Sequence, residues 1–201
     1  SNAGPWNHPD GLPTGKTHPG FYPCYDYPEW VDCLKRAIRK YKPDADIVLW
    51  TYNFGWCSKE ERLRLLESLP TDITLNVTFE MFEFLPCGES LIKSSDYSLA
   101  FAGPGAYFTS EAEVAKRRGI RLYSMTNTGG RTWDFGVAPY EPMPYQWIRR
   151  YEAMREAQKE WGLSGIMESH HYGMYPSFIS KLSKHAFMLP AEDPADILRK
   201  I

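Results

Sequence analysis

The chain has 201 residues, a formal net charge of −2 at pH 7 and 43% apolar residues, a composition that predicts a soluble globular protein. Its longest apolar runs are far shorter than the roughly 18 residues of a membrane span, and the near-neutral charge argues against nucleic acid as a partner. Aromatic residues make up 15% of the chain. An excess of Tyr and Trp in loops suits a ligand with an apolar face and polar groups, such as a sugar ring.

The first 28 residues lack the periodicity of a helix or a strand. Ser1-Asn2-Ala3 resembles the remnant of an expression tag, and no signal peptide follows it. Residues 4–28 are rich in proline, glycine and aromatic side chains, and a loop of this length is usually functional or the remainder of a larger element. We expect residues 29–201 to form a single α/β domain.

The first predicted helix and strand follow this loop. Apolar residues recur at helical spacing from Trp30 to Tyr41, and Lys42-Pro43 ends the helix. Residues 46–53 then form a short apolar run, which predicts a strand. Its tip, residues 52–56, carries aromatic and amide side chains.

A second helix and strand repeat this arrangement. Ser58 and Glu61 have the spacing of a capping box, which predicts a helix that continues to Leu69. Residues 73–79 form the second predicted strand, and Glu80 begins its polar tip.

Three more strands are predicted further along the chain. Residues 97–102 and 121–126 form the third and fourth, separated by a helix that Gly119 closes. A long loop with several prolines leads to a helix over 145–161, and the fifth strand starts near Gly165.

Two helices complete the prediction. Pro176 starts the first, with Phe178, Ile179 and Leu182 inward, and residues 190–201 are expected to form a short helix on the outside. The tryptophans that fall on predicted helices are expected to pack in the core: Trp30, Trp147 and Trp161.

Strands that alternate with helices predict a parallel sheet with right-handed crossovers. An eight-stranded (β/α)8 barrel needs about 250 residues and eight such units. Five units in 201 residues therefore predict either a partial or truncated barrel or an open doubly wound sheet. The polar strand tips favour the barrel, whereas the number of units favours the open sheet.

Four strand-end segments carry the residues that suggest a family: Leu49-Trp50-Thr51-Tyr52, Thr78-Phe79-Glu80-Met81-Phe82-Glu83, Thr126-Asn127-Thr128-Gly129-Gly130 and Gly165-Ile166-Met167-Glu168-Ser169. Their order resembles the carboxyl half of a (β/α)8 glycoside hydrolase catalytic domain and is loosely similar to that of the family-20 hexosaminidase-like enzymes. The resemblance covers roughly residues 5–188. It implies a carbohydrate site at the carboxyl ends of the strands.

One departure from that family concerns its catalytic residues. Family-20 enzymes carry an adjacent Asp-Glu pair at the end of the fourth strand, and this sequence contains no Asp-Glu dipeptide. If residues 46–53 correspond to the fifth strand, the pair would precede Gly4; otherwise it is missing from this branch. Under the first possibility these residues would form the substrate-binding walls and lack the catalytic acid.

Glycoside hydrolysis requires two carboxylates, one as acid and one as nucleophile or base. The candidates are Glu80 and Glu168, both at predicted strand ends, with Glu83 as a weaker one. A carboxylate at a strand end also commonly caps a helix or pairs with an arginine, so both interpretations stay open.

Other residues at the predicted tips could bind a substrate by stacking on a sugar ring or by hydrogen bonding to its hydroxyl groups. They are Tyr52, Asn53, Trp56, Asn127, Trp133, Asp134, His170, His171 and Tyr172.

A metal site would need ligands that reach one ion. His170 and His171 with Glu168 suit zinc or iron, but adjacent residues on an extended segment point to opposite sides, so we expect no metal. The glycine-rich loops lack a phosphate-binding pattern, and we expect no cofactor. The four cysteines lack metal spacing and are expected to be reduced: Cys24, Cys33, Cys57 and Cys87.

Three functions are therefore considered. The first is a glycoside-hydrolase-like domain that binds and hydrolyses a carbohydrate, the second is a non-catalytic carbohydrate-binding fragment, and the third is a metal-dependent hydrolase. The expected partner is an oligosaccharide or glycoside, without nucleic acid or membrane. A partial barrel would also self-associate through its sheet edges. The sequence leaves the cellular compartment open.

Overall fold

The protein is described here from a computed structural model. The structure describes residues 27–52, 54, 58–81, 83–93, 101–126, 143–167, 178–187 and 192–201. In chain order the elements are α1 (Tyr27–Arg39), β1 (Val48–Trp50), α2 (Lys59–Ser68), β2 (Thr74–Thr78), β3 (Phe84–Cys87), β4 (Ser90–Lys93), α3 (Ala106–Arg118), β5 (Arg121–Met125), α4 (Pro144–Trp161), β6 (Leu163–Met167), α5 (Phe178–Phe187) and α6 (Pro194–Lys200).

The fold is α/β, as predicted. Four strands form a parallel sheet in the order β1-β2-β5-β6, and β1 pairs with β2 so that Val48 lies opposite Thr74. All five residues of β2 are buried, which is typical of a parallel strand covered on both faces.

The predicted third strand, residues 97–102, needs a correction. Residues 97–100 lie outside the described residues, and Phe101 and Ala102 are not part of a strand. In the sheet, β5 is the direct neighbour of β2.

An antiparallel hairpin that the sequence analysis did not predict joins β3 to β4. Cys87 pairs with Ser90, so that Gly88 and Glu89 form a two-residue turn. Gly88 has φ +59°, a conformation that two-residue hairpin turns require and that glycine adopts without strain.

The predicted capping box of α2 is confirmed. The Ser58 hydroxyl accepts from the Glu61 N–H at 3.2 Å, and the Glu61 carboxylate accepts from the Ser58 N–H at 3.2 Å. These two bonds satisfy backbone donors that the first turn of a helix leaves without intrahelical partners.

The chain divides into two compact units. Unit 1 comprises residues 1–77 and 110–122, and unit 2 comprises residues 78–109 and 123–201. The described core of unit 1 includes Leu65, Leu66, Leu75, Val77 and Leu122. The described core of unit 2 includes Phe79, Phe108, Trp147, Tyr151 and Leu163.

The tryptophan predictions have different outcomes. Trp147 is buried, as predicted, and Trp161 contacts the ring of Phe108 with 6.0 Å between the centroids. The prediction for Trp30 is wrong, because its side chain is 54% exposed. Helix α1 is attached through its charged side, where Lys35 pairs with Asp72 at 2.8 Å, and this leaves its apolar side facing outward.

Candidate functional site at the carboxyl ends of the strands

In unit 2, the ends of three strands are hydrogen-bonded side by side. The Phe79 N–H donates to the Met125 carbonyl at 3.2 Å, and the Thr126 N–H donates to the Met167 carbonyl at 3.1 Å. These bonds continue the parallel ladder past the last residues of β2 and β5. The carboxyl ends of β2, β5 and β6 therefore lie at one edge of the sheet, the usual place for sites in parallel α/β proteins.

Glu80, the first residue beyond that ladder on β2, is fully buried and paired with an arginine. Its Oε2 lies 3.2 Å from Nη1 of Arg150, and both side chains are 0% exposed. A buried carboxylate of this kind needs a nearby cation to offset its lost hydration. Glu80 thus occupies the arginine-partner role that the sequence analysis had left open.

Arg150 also holds the loop that precedes α3. Its Nη2 donates to the Phe101 carbonyl at 2.6 Å and its Nε donates to the Ala102 carbonyl at 3.2 Å. The guanidinium group lies 5.6 Å from the centroid of the Trp147 ring, within cation–π range. One side chain from α4 therefore connects the tip of β2 with this loop.

The same loop packs closely against the end of β2. The Gly105 N–H donates to the Phe79 carbonyl at 2.8 Å. Gly103 has φ +85°, and a Cβ at this position would collide with the Phe79 ring. Glycine is required here both by its backbone conformation and by the available space.

Glu83 caps a helix, the second role that the sequence analysis had left open. Its Oε1 accepts a hydrogen bond from the N–H of Ala106, the first residue of α3. A carboxylate at this position satisfies a free backbone donor and interacts favourably with the helix dipole.

In unit 1, Tyr52 follows β1 and is partly buried, with its ring 5.0 Å from that of Trp50. The preceding residue, Thr51, belongs to a buried polar network. Its hydroxyl donates to Glu111 Oε2 at 2.6 Å, and Arg62 Nη1 donates to Glu111 Oε1 at 2.8 Å.

Sequence reasoning missed both buried arginines, although a signal was present. Arg62 stands at the first position of the spacing 62, 65, 66, 69, whose other members are leucines. Arg150 lies between Trp147 and Tyr151 on the inward stripe of α4. An arginine inside an apolar stripe at helical spacing indicates a buried ion pair, because a lone charge there would be very costly.

The remaining predicted site residues lie outside the described residues: Asn53, Trp56, Asn127, Trp133, Asp134, Glu168, His170, His171 and Tyr172. Of the predicted site residues, Glu80 and Tyr52 are among the described residues. They belong to different units.

The described part of the chain contains no group of three His, Cys, Asp or Glu residues that could hold a metal ion. It also contains no helix long and apolar enough to cross a membrane. Cys33 and Cys87 are exposed free thiols, and Cys24 and Cys57 lie outside the described residues.

The described residues thus define an α/β protein with a four-stranded parallel sheet. Comparison of the chain with protein-family models, curated proteins and solved structures found no match.

Proposed function

We propose that the protein is a glycoside-hydrolase-like domain that binds and hydrolyses a carbohydrate at the carboxyl ends of its strands. The observation that supports this proposal is the aligned edge of β2, β5 and β6, where Phe79 bonds to Met125 and Thr126 bonds to Met167. Glu80 follows Phe79 directly, and Glu168 follows Met167 in the sequence. In the sequence, both candidate carboxylates therefore come directly after residues that are hydrogen-bonded at this edge.

The proposal gives Glu168 the role of catalytic acid or base. Glu80 supplies a second carboxylate, fixed in place by Arg150. Tyr52, Trp56, Trp133 and Tyr172 would stack on sugar rings, because their faces are apolar and their edges polar. Asn53, Asn127, Asp134, His170 and His171 would exchange hydrogen bonds with hydroxyl groups.

The proposed scaffold is a partial (β/α)8 barrel. A closed barrel has no free strand edges, whereas among the described strands β1 and β6 are the outer ones of this sheet. Val48 on β1 is 48% exposed and Met167 on β6 is 42% exposed. Uncovered apolar side chains on outer strands support the expectation that the domain self-associates.

Catalysis is tested with a panel of nitrophenyl glycosides. We expect nitrophenol release by the unaltered protein and a loss of about 100-fold or more in kcat for Glu168→Gln, since general acid–base groups contribute roughly 10² to 10⁴. Glu89→Gln, at the turn of the β3–β4 hairpin, is the matched control and should leave the rate unchanged. Failure to release nitrophenol from any glycoside and to bind any oligosaccharide would refute the proposal.

A non-catalytic carbohydrate-binding domain is the second candidate, and one observation favours it. Within the described residues, the carboxylates that follow strands of the parallel sheet are Glu80 and Glu83, and these contact Arg150 and the Ala106 N–H. Calorimetric titration with oligosaccharides separates the two functions. Binding without turnover of the corresponding glycosides would establish the second candidate and exclude the first.

A further inference from the structure

Two buried polar groups in unit 2 have hydrogen-bonding capacity that the described residues leave unused. Thr126 directly follows β5 and is 0% exposed, and Trp147, in the first turn of α4, is 1% exposed. Neither Thr126 Oγ1 nor Trp147 Nε1 has a hydrogen-bond partner among the described residues. Buried polar atoms in native proteins are almost always hydrogen-bonded, because burial removes their hydration. These two atoms therefore indicate a binding position for a polar group of a ligand.

Thr126 lies at the edge where the strands of unit 2 end. Its N–H donates to the Met167 carbonyl at 3.1 Å. The carbonyl of the preceding residue, Met125, accepts from the Phe79 N–H at 3.2 Å, so Thr126 is the neighbour of Phe79 in the ladder. Met167 is 42% exposed. Thr126 is therefore buried next to an exposed part of this edge.

Trp147 lies beside a buried ion pair at the same strand end. The centroid of its ring is 5.6 Å from the guanidinium carbon of Arg150. Arg150 Nη1 in turn lies 3.2 Å from Glu80 Oε2. Glu80 directly follows Phe79, the neighbour of Thr126 in the ladder. Thr126 and Trp147 therefore approach this ion pair from the sheet and from α4, respectively.

The groups at this position favour an uncharged ligand group that carries oxygen. Glu80 and Arg150 are paired with each other, so a charged ligand group would meet one like charge there. The indole N–H of Trp147 can only donate a hydrogen bond, whereas the Thr126 hydroxyl can donate or accept one. One ligand hydroxyl group satisfies both, because its oxygen can accept from Trp147 while its proton or second lone pair bonds Thr126. A sugar offers several such hydroxyl groups.

We propose that Thr126 and Trp147 bind one hydroxyl group of the carbohydrate and thereby determine which sugars the protein accepts. This inference rests on the proposed function and adds to it two residues that contact the substrate without taking part in bond cleavage. A sugar with this hydroxyl group forms two hydrogen bonds on binding, whereas an analogue without it leaves both atoms unpaired in the complex. Sites that hydrogen-bond a substrate hydroxyl group discriminate strongly against analogues that lack it.

Calorimetric titration of the intact chain with an oligosaccharide and with its monodeoxy analogues tests this assignment. We expect one analogue to bind about 30-fold or more weakly than the parent sugar, the effect of leaving buried polar groups unpaired. The other analogues should bind more nearly like the parent. The sensitive analogue identifies the hydroxyl group that Thr126 and Trp147 bind.

Variants of the two residues connect this loss to the protein. Thr126→Val keeps the shape but removes the hydroxyl, so the discrimination against the sensitive analogue should shrink by about fivefold or more. Thr126→Ser retains the hydroxyl and should retain the discrimination. Combining Thr126→Val with Trp147→Phe should abolish it. Ser183→Ala removes a buried hydroxyl from α5 in the same unit and is the matched control, with unchanged affinities for both sugars.

Urea unfolding without ligand separates a binding role from a structural one. Because Thr126 Oγ1 has no hydrogen-bond partner among the described residues, Thr126→Val should leave the midpoint unchanged. A clearly lower midpoint would show a structural role and overturn the inference. If no oligosaccharide binds, the proposed function fails and this inference fails with it. If oligosaccharides bind but all analogues bind equally, or the double variant discriminates like the unaltered protein, this inference alone is overturned.

Discussion

Two buried carboxylate–arginine pairs, one in each unit, use the same residue types in different ways. In unit 1, both oxygens of Glu111 accept hydrogen bonds from side chains, at 2.8 Å from Arg62 and 2.6 Å from Thr51. Arg62 also contacts the Ser110 hydroxyl at 3.3 Å. In unit 2, Glu80 meets Arg150 at 3.2 Å, and Arg150 bonds two backbone carbonyls of the loop before α3.

The difference concerns which parts of the chain each pair connects. The Glu111 network joins the end of β1 to α2 and α3, so it fixes regular elements of unit 1 relative to one another. The Glu80 pair joins the tip of β2 and a loop to α4, so it fixes the shape of the strand-end region of unit 2. Burial and pairing of a carboxylate therefore do not show whether it stabilises the framework of the fold or belongs to a site. The chain segments that the pair connects show which of these two roles it has.

Removing the cation of the unit 1 network should have the largest effect. We expect Arg62→Met to lower the free energy of unfolding by about 3–5 kcal/mol, because it leaves Glu111 buried without its cation. Urea unfolding monitored by circular dichroism measures this loss. Arg64→Met, on the exposed side of α2, is the control and should change the free energy by about 0.5 kcal/mol or less. Equal losses for both variants would contradict a locked network around Glu111.

Neutralising Glu80 should cost less stability and more function. Glu80→Gln keeps the shape and an oxygen acceptor for Arg150, so we expect a loss of about 1–3 kcal/mol in the free energy of unfolding. Under the proposed function, the affinity for oligosaccharides should also fall by about tenfold or more, because Arg150 would hold the end of β2 and the loop before α3 in a different arrangement. Urea unfolding and calorimetric titration measure the two effects. An unchanged affinity with reduced stability would make Glu80 a framework residue like Glu111.

The regular elements were largely predictable from local patterns. Strands β1, β2, β5 and β6 lie within or close to the predicted ones, since a short apolar run between helix-ending signals is a strong indicator of a buried parallel strand. The hairpin was missed because Phe84 and Leu91 are exposed, so these two apolar residues do not mark a buried face. The sequence of residues 97–102 has the pattern of a strand. The carbonyls of Ala102 and Phe101 instead accept hydrogen bonds from Arg150, which lies 48 and 49 residues away along the chain, and a local pattern does not reveal such a distant contact.

The sequence could not predict which side of α1 is exposed, for a different reason. Its amphipathic pattern is real, with Trp30 and Leu34 on one side of the helix and Lys35 and Arg39 on the neighbouring side. A pattern shows that one face is apolar but does not show what covers it. The site was also predictable only in part. A carboxylate was expected at the tip of β2, but the arginine that pairs with Glu80 lies 70 positions further along the chain, and the sequence does not show this contact.

The ion pair between Lys35 and Asp72 extends the comparison to an exposed pair, and we expect the smallest effect here. Asp72→Asn should lower the free energy of unfolding by only about 0.5 kcal/mol, because the Asp72 side chain is 51% exposed and water and salt screen the interaction. Urea unfolding at low and high salt measures this difference, which should shrink at high salt. A loss of several kcal/mol in the free energy of unfolding that does not depend on salt would contradict this prediction and show that the pair behaves like the buried ones.

The pH dependence of this pair has a defined sign. The hydrogen bond from Lys35 holds the pKa of Asp72 below its ordinary value of 3.8, and the hydrogen bond to Asp72 raises the pKa of Lys35 above 10.5. A lowered carboxyl pKa contributes stability that is complete above the ordinary value and is lost as the pH falls through the lowered one. The raised lysine pKa contributes stability that is complete below 10.5 and is lost as the pH rises through the raised value. The difference between the unaltered protein and Asp72→Asn should therefore be constant from about pH 5 to 9 and decline outside it. A difference that instead changed steeply around pH 7 would show that another group, and not this pair, controls the attachment of α1.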